Sequence, residues 1–206
     1  MFLSLVNLFF PKTCQACSMI LSDNELQICV SCRHELPLTN YHYDNSEAIK
    51  KIFYGRVELK GATALFYFYK GGKVQKLLHK LKYKGQEELG LLFGKWLGAE
   101  LVESNFFNSI DVVIPVPIHP RKLKKRGYNQ VALFAQYLAI SLNAKFEDSV
   151  LLKSTFTQTQ VFQSREERFQ SVSNSFVAVD LHKIDHLHVL LVDDVITTGA
   201  TIEACA

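Results

Sequence analysis

Hydrophobic residues recur along this chain at spacings typical of both strands and helices. Residues 110–116 and 189–192 form apolar runs with the length of buried strands, and the second run predicts a strand buried on both faces. Residues 57–69 are strand-like and end in an aromatic-rich stretch before Gly71 and Gly72. Apolar residues at helical spacing predict three helices, at residues 74–81, 86–103 and 129–142. Strands alternating with helices predict an α/β fold, in which right-handed crossovers place helices on both faces of a mostly parallel sheet.

The composition supports a folded domain with a small appendage. Of the 206 residues 48% are hydrophobic, and the net charge of +3 is too small to predict nucleic-acid binding by itself. Residues 1–10 are apolar but fall short of the ~18 apolar residues that a membrane span needs. They predict a short packed helix in a cytoplasmic protein without a membrane span. Residues 35–47 are polar and predict a linker, so we divide the chain into a segment at 1–40 and a domain at 41–206.

Two carboxylates follow the last predicted strand. Asp193 and Asp194 stand where the strand ends, and a hydroxyl-rich turn with the sequence Thr-Thr-Gly-Ala-Thr occupies residues 197–201. Ligands of open α/β sheets bind outside the carboxyl ends of the strands, and a turn that opens a helix offers backbone N–H groups to a phosphate. The pattern predicts a sugar-phosphate site, with the carboxylates accepting from ribose hydroxyls. The alternative is an ordinary strand-to-turn junction with two solvated carboxylates.

Four of the five cysteines are arranged as two pairs near the amino terminus. Cys14 and Cys17 form one C-x-x-C pair, and Cys29 and Cys32 form the other. Two such pairs can complete a tetrahedral zinc site, and four thiolates leave no open position for catalysis, so we expect structural Zn²⁺. Disulfides are the alternative, but they are disfavoured in a cytosolic protein. Cys205 is expected to be an ordinary helix thiol.

A basic segment follows the strand predicted at 110–116. It contains Arg121, Lys122, Lys124, Lys125 and Arg126, and Gly127 permits a sharp turn after them. If the two strands are parallel, this segment opens on the same sheet edge as the acidic pair. Cations and backbone donors there suit the developing charge of a pyrophosphate leaving group. The alternative is a solvated basic turn.

The polar residues 155–175 lack a clear period. They contain Gln158, Gln160, Gln163, Arg165 and Arg168. Long loops of this kind in compact domains are often functional lids. A surface helix with i,i+3 charge pairs is an equally good interpretation.

Residues 189–201 resemble the phosphoribosyl pyrophosphate (PRPP) loop of type I phosphoribosyltransferases, and the whole chain resembles the ComF family. The wider resemblance rests on several blocks in a fixed order, which are Phe10-Pro11, both cysteine pairs, Tyr69-Lys-Gly, Leu81-Lys-Tyr-Lys-Gly85, Pro115-Val-Pro, Arg126-Gly-Tyr-Asn-Gln130, Gln160 with Arg165, Arg168 and Phe176, and the acidic pair. It implies a type I phosphoribosyltransferase fold behind a structural zinc knuckle. It also implies PRPP with Mg²⁺ as ligands, and a link to DNA uptake in natural transformation.

The resemblance also implies roles for individual residues. PRPP would be bound by Asp193, Asp194, Val195, Ile196, Thr197, Thr198, Gly199, Ala200 and Thr201. Pyrophosphate would be bound by Pro117, Ile118, His119, Arg121 and Arg126. The catalytic group would be Asp193, Asp194, Arg165 and Gln160, the last two on a mobile loop at 160–176. Transfer of phosphoribosyl to an unidentified acceptor would then release pyrophosphate.

A second hypothesis is a non-catalytic DNA-handling competence factor that uses the PRPP site as a sensor. Its support is a lysine-rich helix face with Lys73, Lys76, Lys80, Lys82 and Lys84, which suits single-stranded DNA and the DNA-uptake machinery as partners. The sequence reaches Ala206 barely a turn into the helix expected after the phosphate-binding turn, where family members continue. We therefore expect the carboxyl-terminal end of the domain to be truncated, or a neighbouring chain to complete the fold.

Overall fold

The structure is a computed structural model of the chain, and it describes residues 11–44, 47–104, 106–153 and 175–206. Helices and strands alternate along most of this length. The α-helices are α1 (Val30–Glu35), α2 (Tyr41–Asp44), α3 (Glu47–Lys50), α4 (Lys73–Tyr83), α5 (Glu88–Glu103), α6 (Pro120–Arg126), α7 (Ala132–Ser141) and α8 (Ala200–Glu203). The strands are β1 (Val112–Pro115), β2 (Lys145–Phe146), β3 (Leu151–Lys153), β4 (Phe176–Ala178) and β5 (Val189–Val192). Single 3₁₀ turns occupy Lys51–Phe53 and Leu181–Lys183.

A parallel sheet of three strands, in the order β2-β1-β5, forms the centre of the described fold. Val112 pairs with Val189 and Pro115 pairs with Val192, so β1 and β5 run in register over their whole length. β3 and β4 form a separate antiparallel pair. The α/β class with a parallel sheet is confirmed.

The sheet separates two hydrophobic clusters. Val113 packs with α4, α5, α7 and the cysteine pairs on one side, whereas Val112 and Ile114 pack with Phe53 and Ile202 on the other. β1 is completely buried, but only Val192 of β5 is buried and the rest of that strand is half-buried. The expectation that β5 is buried on both faces was therefore wrong. Leu190 packs against the larger cluster, Val189 and Leu191 pack against the smaller one, and all three also line a cavity of about 620 Å³.

Close packing between α5 and α7 depends on glycine. A Cβ at Gly94 would lie 2.7 Å from the carbonyl oxygen of Phe134 and 2.8 Å from Cβ of Tyr137. Gly90 and Gly98 face the same helix, so the small residues let the two backbones approach. The predictions of helices at 74–81, 86–103 and 129–142 are confirmed by α4, α5 and α7.

The strand predicted at 57–69 was wrong. Phe66 forms only an isolated antiparallel bridge with Leu38, because residues 37–39 offer a short extended partner before Asn40 turns the chain at a φ of 56°. Phe66 still enters the core, where its ring lies 5.3 Å from that of Phe93. The aromatic residues here pack into the core without forming the hydrogen bonds of a strand. Strand propensity cannot tell these two situations apart, because it reflects side-chain packing.

The linker predicted at 35–47 was also wrong in part. Residues Tyr41–Asp44 form α2, and His42 on this helix is only 1% exposed. Nε2 of His42 lies 3.2 Å from Oε2 of Glu100 on α5. The segment is therefore packed against the domain, and the proposed boundary at residue 40 stays a prediction.

Candidate functional site at the carboxyl edge of the sheet

The segments that follow β1 and β5 leave the sheet at the same edge. The strands are parallel, and the N–H of Val116 donates to the carbonyl oxygen of Val192 at 2.8 Å, one step beyond the paired strand ends. The sequence analysis predicted that the basic segment and the acidic pair share an edge if the two strands are parallel. The parallel pairing of β1 and β5 confirms this. Both segments start within hydrogen-bonding distance of each other.

Asp194 lies in a polar network that joins three parts of the chain. Its Oδ2 accepts from Nζ of Lys82 at 2.7 Å and from Nε2 of Gln130 at 2.7 Å. The guanidinium of Arg126 donates in turn to Oε1 of Gln130. The Asp194 side chain is 10% exposed and Gln130 is 8% exposed, so this network is largely shielded from water.

Asp193 has a different environment from its neighbour. Its Oδ1 accepts the backbone N–H of Asp194 at 2.7 Å. Burial, followed by the negative charge of Asp194, raises the pKa of Asp193 from 3.8 to about 6, although Lys82 and Lys153 oppose the shift. Burial and the charge of Asp193 raise the pKa of Cys205 to about 12. Burial also lowers the pKa of the Lys153 ammonium, which lies near Lys122 and the same acidic group.

A cavity opens beside the acidic pair. Asp193, Asp194 and Gln130 provide polar groups in its lining, and apolar residues such as Phe53 and Leu191 form most of the remainder. A largely apolar pocket with a few convergent polar groups and a perturbed carboxyl is typical of a small-molecule site.

The threonine-rich turn is fixed from outside. Gly199 has a φ of +78°, and a Cβ at this position would lie 2.8 Å from the ring of Phe53. Arg56 donates to the carbonyl oxygen of Thr198 at 3.0 Å and forms an ion pair with Glu203 at 2.7 Å. Thr197 and Thr198 remain exposed at the surface of this turn. Phe53 and Arg56 therefore anchor the turn, while Thr197 and Thr198 stay accessible to a ligand.

The basic segment contains a helix that the sequence analysis did not predict. α6 begins with Pro120, His119 caps it by accepting the Arg121 N–H on Nδ1 at 3.1 Å, and Gly127 ends it at a φ of 89°. Proline at the first helical position and glycine after the last are helix signals that could have identified it. Pro117 and Ile118 are half-buried, whereas Arg121 is exposed. Arg126 is directed towards Gln130, and its guanidinium lies 5.3 Å from the ring of Tyr83.

Some of the expected site lies outside the described residues. Gln160 and Arg165 lie in residues 154–174, which the structure does not describe, so their roles stay predictions, as does the helix expected at 1–10. Among the residues that are described, no helix is long and apolar enough to cross a membrane.

The four amino-terminal cysteines converge on one point. The Sγ atoms of Cys14, Cys17, Cys29 and Cys32 all lie within 4.8 Å of one another, and those of Cys17 and Cys29 are 3.8 Å apart. All five cysteines are free thiols. A tetrahedral zinc site with Zn–S bonds of about 2.3 Å separates its sulfurs by about 3.8 Å, so the donor set and the spacing fit zinc.

Backbone groups support this cluster. Burial raises the pKa of the Cys14 thiol, but N–H groups from Cys29, Cys17 and Ala16 outweigh it and lower that pKa to about 6. Burial and the neighbouring thiols raise the pKa of Cys32 to about 12. Lys73, the first residue of α4, lies beside the cluster and pairs with Glu35 of α1 at 2.7 Å.

The comparisons with known proteins point to one family. The DNA utilization protein YhgH of Escherichia coli (strain K12) is 29% identical over 133 residues, which cover 63% of this chain and 58% of YhgH. Competence protein F of Haemophilus influenzae is 37% identical over 93 residues, which cover 45% of this chain and 41% of that protein. These relatives support a ComF-family protein. No protein-family model matches the chain. The matched region covers less than two thirds of the length of YhgH.

Three residues of this candidate site were not identified as site residues by the sequence analysis. Lys82 was noted only on the lysine-rich helix face and in a motif, Gln130 was noted only as part of a motif, and Arg56 was not noted. The signal for Gln130 was its place at the end of the Arg126-Gly-Tyr-Asn-Gln130 motif, directly after the basic segment. Neither Lys82 nor Arg56 has a local signal, because tertiary contacts bring them to the site.

Proposed function

We propose that this chain binds PRPP at the acidic pair and transfers its phosphoribosyl group to an acceptor, with release of pyrophosphate. The observation that carries the proposal is the shared edge of β1 and β5, where the basic segment leaves β1 and Gln130, which follows α6, donates to Asp194. Carboxylates beside a turn rich in hydroxyls suit a ribose phosphate, and cations at the same edge suit its pyrophosphate. The names of the relatives, a DNA utilization protein and a competence protein, fit a role in those processes for the whole protein.

Each part of the site has a role in this proposal. Asp193 and Asp194 would accept from the ribose hydroxyls, while the turn at 197–201 would bind the 5′-phosphate. The residues from Pro117 to Arg126 would contact the pyrophosphate, with Arg121 exposed to reach it. The contribution of the protein would be positioning and charge neutralisation as the bond to C1 breaks. Gln160 and Arg165 would cover the bound PRPP.

Magnesium would arrive with the substrate. Among the described residues, the only cluster of three or more metal-ligating side chains is formed by the four cysteines. Mg²⁺ prefers phosphate oxygens and water, and it is often held by only one or two protein carboxylates. Asp193 and Asp194 fit that limited share of a coordination shell, while Zn²⁺ at the cysteines would stabilise the amino-terminal segment.

Calorimetric titration of the chain with PRPP and Mg²⁺ tests the proposal. Asp194→Asn should weaken binding about 10-fold to 100-fold, because a hydrogen bond to a charged group is worth about 1.5–3 kcal/mol. Asp180→Asn is the matched control, since Asp180 is exposed at a φ of 50° that asparagine tolerates. Failure of the unaltered chain to bind PRPP would refute the proposal. Pyrophosphate release on adding fractionated metabolites would identify the acceptor.

A non-catalytic DNA-handling role with a ligand sensor is the second candidate. The structure changes its basis, because Lys73 and Lys82 are engaged in ion pairs and only part of the lysine-rich face is available. Lys76 and Lys84 remain exposed, together with Tyr69 and Tyr83, which are 58% and 64% exposed. Exposed cations interleaved with aromatic rings suit single-stranded DNA, where bases stack on the rings.

Salt-dependent binding of a single-stranded oligonucleotide tests this second candidate. Phosphate-driven affinity must fall steeply as salt rises. Tyr83→Ala should weaken binding about tenfold, since stacking contributes roughly 1–3 kcal/mol per base. Tyr54→Ala is the control, because Tyr54 is 62% exposed on another surface. Binding without a salt slope, or an equal effect of both substitutions, would remove the candidate.

A further inference from the structure

Lys82 differs from the other lysines of α4. The buried face of this helix, with Val74, Leu77 and Leu81, packs into the larger hydrophobic cluster. Near the end of the helix, Nζ of Lys82 lies 2.7 Å from Oδ2 of Asp194, and its side chain is only 24% exposed. A cation placed this close to the acidic pair belongs to the site and not to the exposed part of the lysine-rich helix face.

The position of Lys82 is fixed by its neighbours. Leu81 is 4% exposed, and its carbonyl oxygen accepts a hydrogen bond from the hydroxyl of Tyr128. The same stretch of chain contributes Gln130, the second donor to Asp194. Lys82 is therefore attached both to a packed helix and, through its neighbour, to the segment that orients Asp194.

Two donors from different parts of the chain restrain the Asp194 carboxylate at the same oxygen. Both Lys82 and Gln130 donate to Oδ2, and Arg126 orients Gln130. In the described part of the chain, Oδ1 of Asp194 has no such donor and can accept from a ligand hydroxyl. Partners that orient a ligating carboxylate or imidazole typically contribute about 10-fold to 100-fold in affinity, as seen at metal sites.

We propose that Lys82 is a positioning residue of the ligand site, where its ammonium fixes the Asp194 carboxylate so that Oδ1 is presented to the ribose hydroxyls. This role rests on the proposed binding of PRPP and deepens it. The same ammonium lowers the pKa of Asp193, so it also acts on the second carboxylate of the pair. Lys82 thus belongs to the small-molecule site and not to a nucleic-acid surface.

Binding measurements on three variants of the full chain test this role. Lys82→Met should weaken the affinity for PRPP with Mg²⁺ about 10-fold to 100-fold. Lys82→Arg, which keeps the charge and the donors, should restore most of it. Lys95→Met removes the same charge from an exposed position on α5, where Nζ lies 5.2 Å from the ring of Tyr137, and should leave the affinity within about twofold.

A pH profile separates positioning from a purely structural role. Without the positive charge of Lys82 the pKa of Asp193 should rise, so the loss of affinity on acidification should begin at a higher pH in Lys82→Met than in the unaltered chain. ¹³C NMR of the carboxyl groups without ligand should show the same displacement. Lys82→Arg should return both profiles towards those of the unaltered chain.

The outcomes separate this inference from the proposed function. Equal PRPP affinity of the unaltered chain and Lys82→Met would overturn the role of Lys82 alone. A loss of affinity that accompanies a lower melting temperature, without a displaced pH profile or rescue by arginine, would also overturn it. No binding of PRPP by the unaltered chain would overturn the proposed function, and this role with it.

Discussion

Replacing Asp193 by asparagine is expected to stabilise the folded chain at neutral pH. Burial and the charge of Asp194 raise the pKa of Asp193 from 3.8 to about 6, which means that the ionised form is disfavoured in the folded state. Asparagine is uncharged and keeps the same shape. Its Oδ1 can still accept the N–H of Asp194, the 2.7 Å hydrogen bond that the carboxylate makes. The substitution therefore removes the unfavourable charge and keeps the local geometry.

The size of the effect follows from the pKa difference between the folded and unfolded states. Each pKa unit corresponds to about 1.4 kcal/mol, so a rise from 3.8 to about 6 corresponds to about 3 kcal/mol. A raised pKa means that the folded state holds its proton more tightly, and stability is highest below the unfolded value of 3.8. Stability is then lost as the pH rises to about 6. The gain from asparagine should be about 1 kcal/mol at about pH 4.5 and about 3 kcal/mol at about pH 7.5.

Urea denaturation at the two pH values measures this gain. The difference between variant and unaltered chain is compared at each pH, so other titrating groups, including the cysteine cluster, cancel. Asp180→Asn is the control and should change the free energy of unfolding by less than about 0.5 kcal/mol at either pH, since Asp180 is exposed. An Asp193→Asn effect that is destabilising, or equal at both pH values, would refute the reasoning. A stabilised variant with weaker PRPP binding would show that the carboxylate is kept for function at a cost in stability.

Three further predictions concern other parts of the fold. Purified chain should contain about one zinc atom. Chelation should unfold residues 11–36 and speed amide exchange at the Lys73 end of α4, because metal binding at such sites is coupled to folding. Exchange protection that is retained after metal removal would contradict this. Gly94→Ala should lower the free energy of unfolding by about 1–3 kcal/mol through its clash with α7, although alanine favours helix by about 1 kcal/mol, and a stabilised variant in urea denaturation would contradict the packing. Arg56→Met should speed amide exchange at residues 197–201 because it releases Thr198 and Glu203, with Arg33→Met, whose guanidinium lies over the ring of Trp96, as a control that leaves that exchange unchanged.

The elements predicted correctly are those whose burial follows a local period. α4 and α5 show this, because each presents apolar residues to the core at helical spacing along its own length. The aromatic residues near Phe66 indicated a strand just as clearly by their composition, but a strand also needs a hydrogen-bonding partner of matching length. Residues 37–39 provide only a short one, since Asn40 turns the chain into α2. Whether residues 57–69 form a strand is therefore decided by a partner segment elsewhere in the chain.

The same limit explains what the sequence predicted of the site. Asp193 and Asp194 follow a strand directly, so a motif of consecutive residues marks them. Gln130 reaches Asp194 across 64 positions and Arg56 reaches Thr198 across 142, and these contacts exist only once the sheet has formed. A lysine in a basic helix is solvated far more often than it is paired, so charge alone could not single out Lys82. The sequence marked the groups that would touch the ligand, and the structure adds the groups that hold them.

The two adjacent carboxylates differ in their hydrogen bonding and in their ionisation because their surroundings differ. Asp194 is held by Lys82 and Gln130, whereas Asp193 is buried beside a like charge with its pKa raised to about 6. A ligand that brings hydrogen-bond donors or positive charge to Asp193 must lower that pKa, because it favours the ionised form. Binding at about pH 6 should therefore release a proton and relieve the instability that Asp193 causes in the free protein. The ligand therefore gains affinity by relieving the unfavourable burial of the Asp193 charge, whereas Asp194, held by its two donors, fixes the position in which the ligand binds.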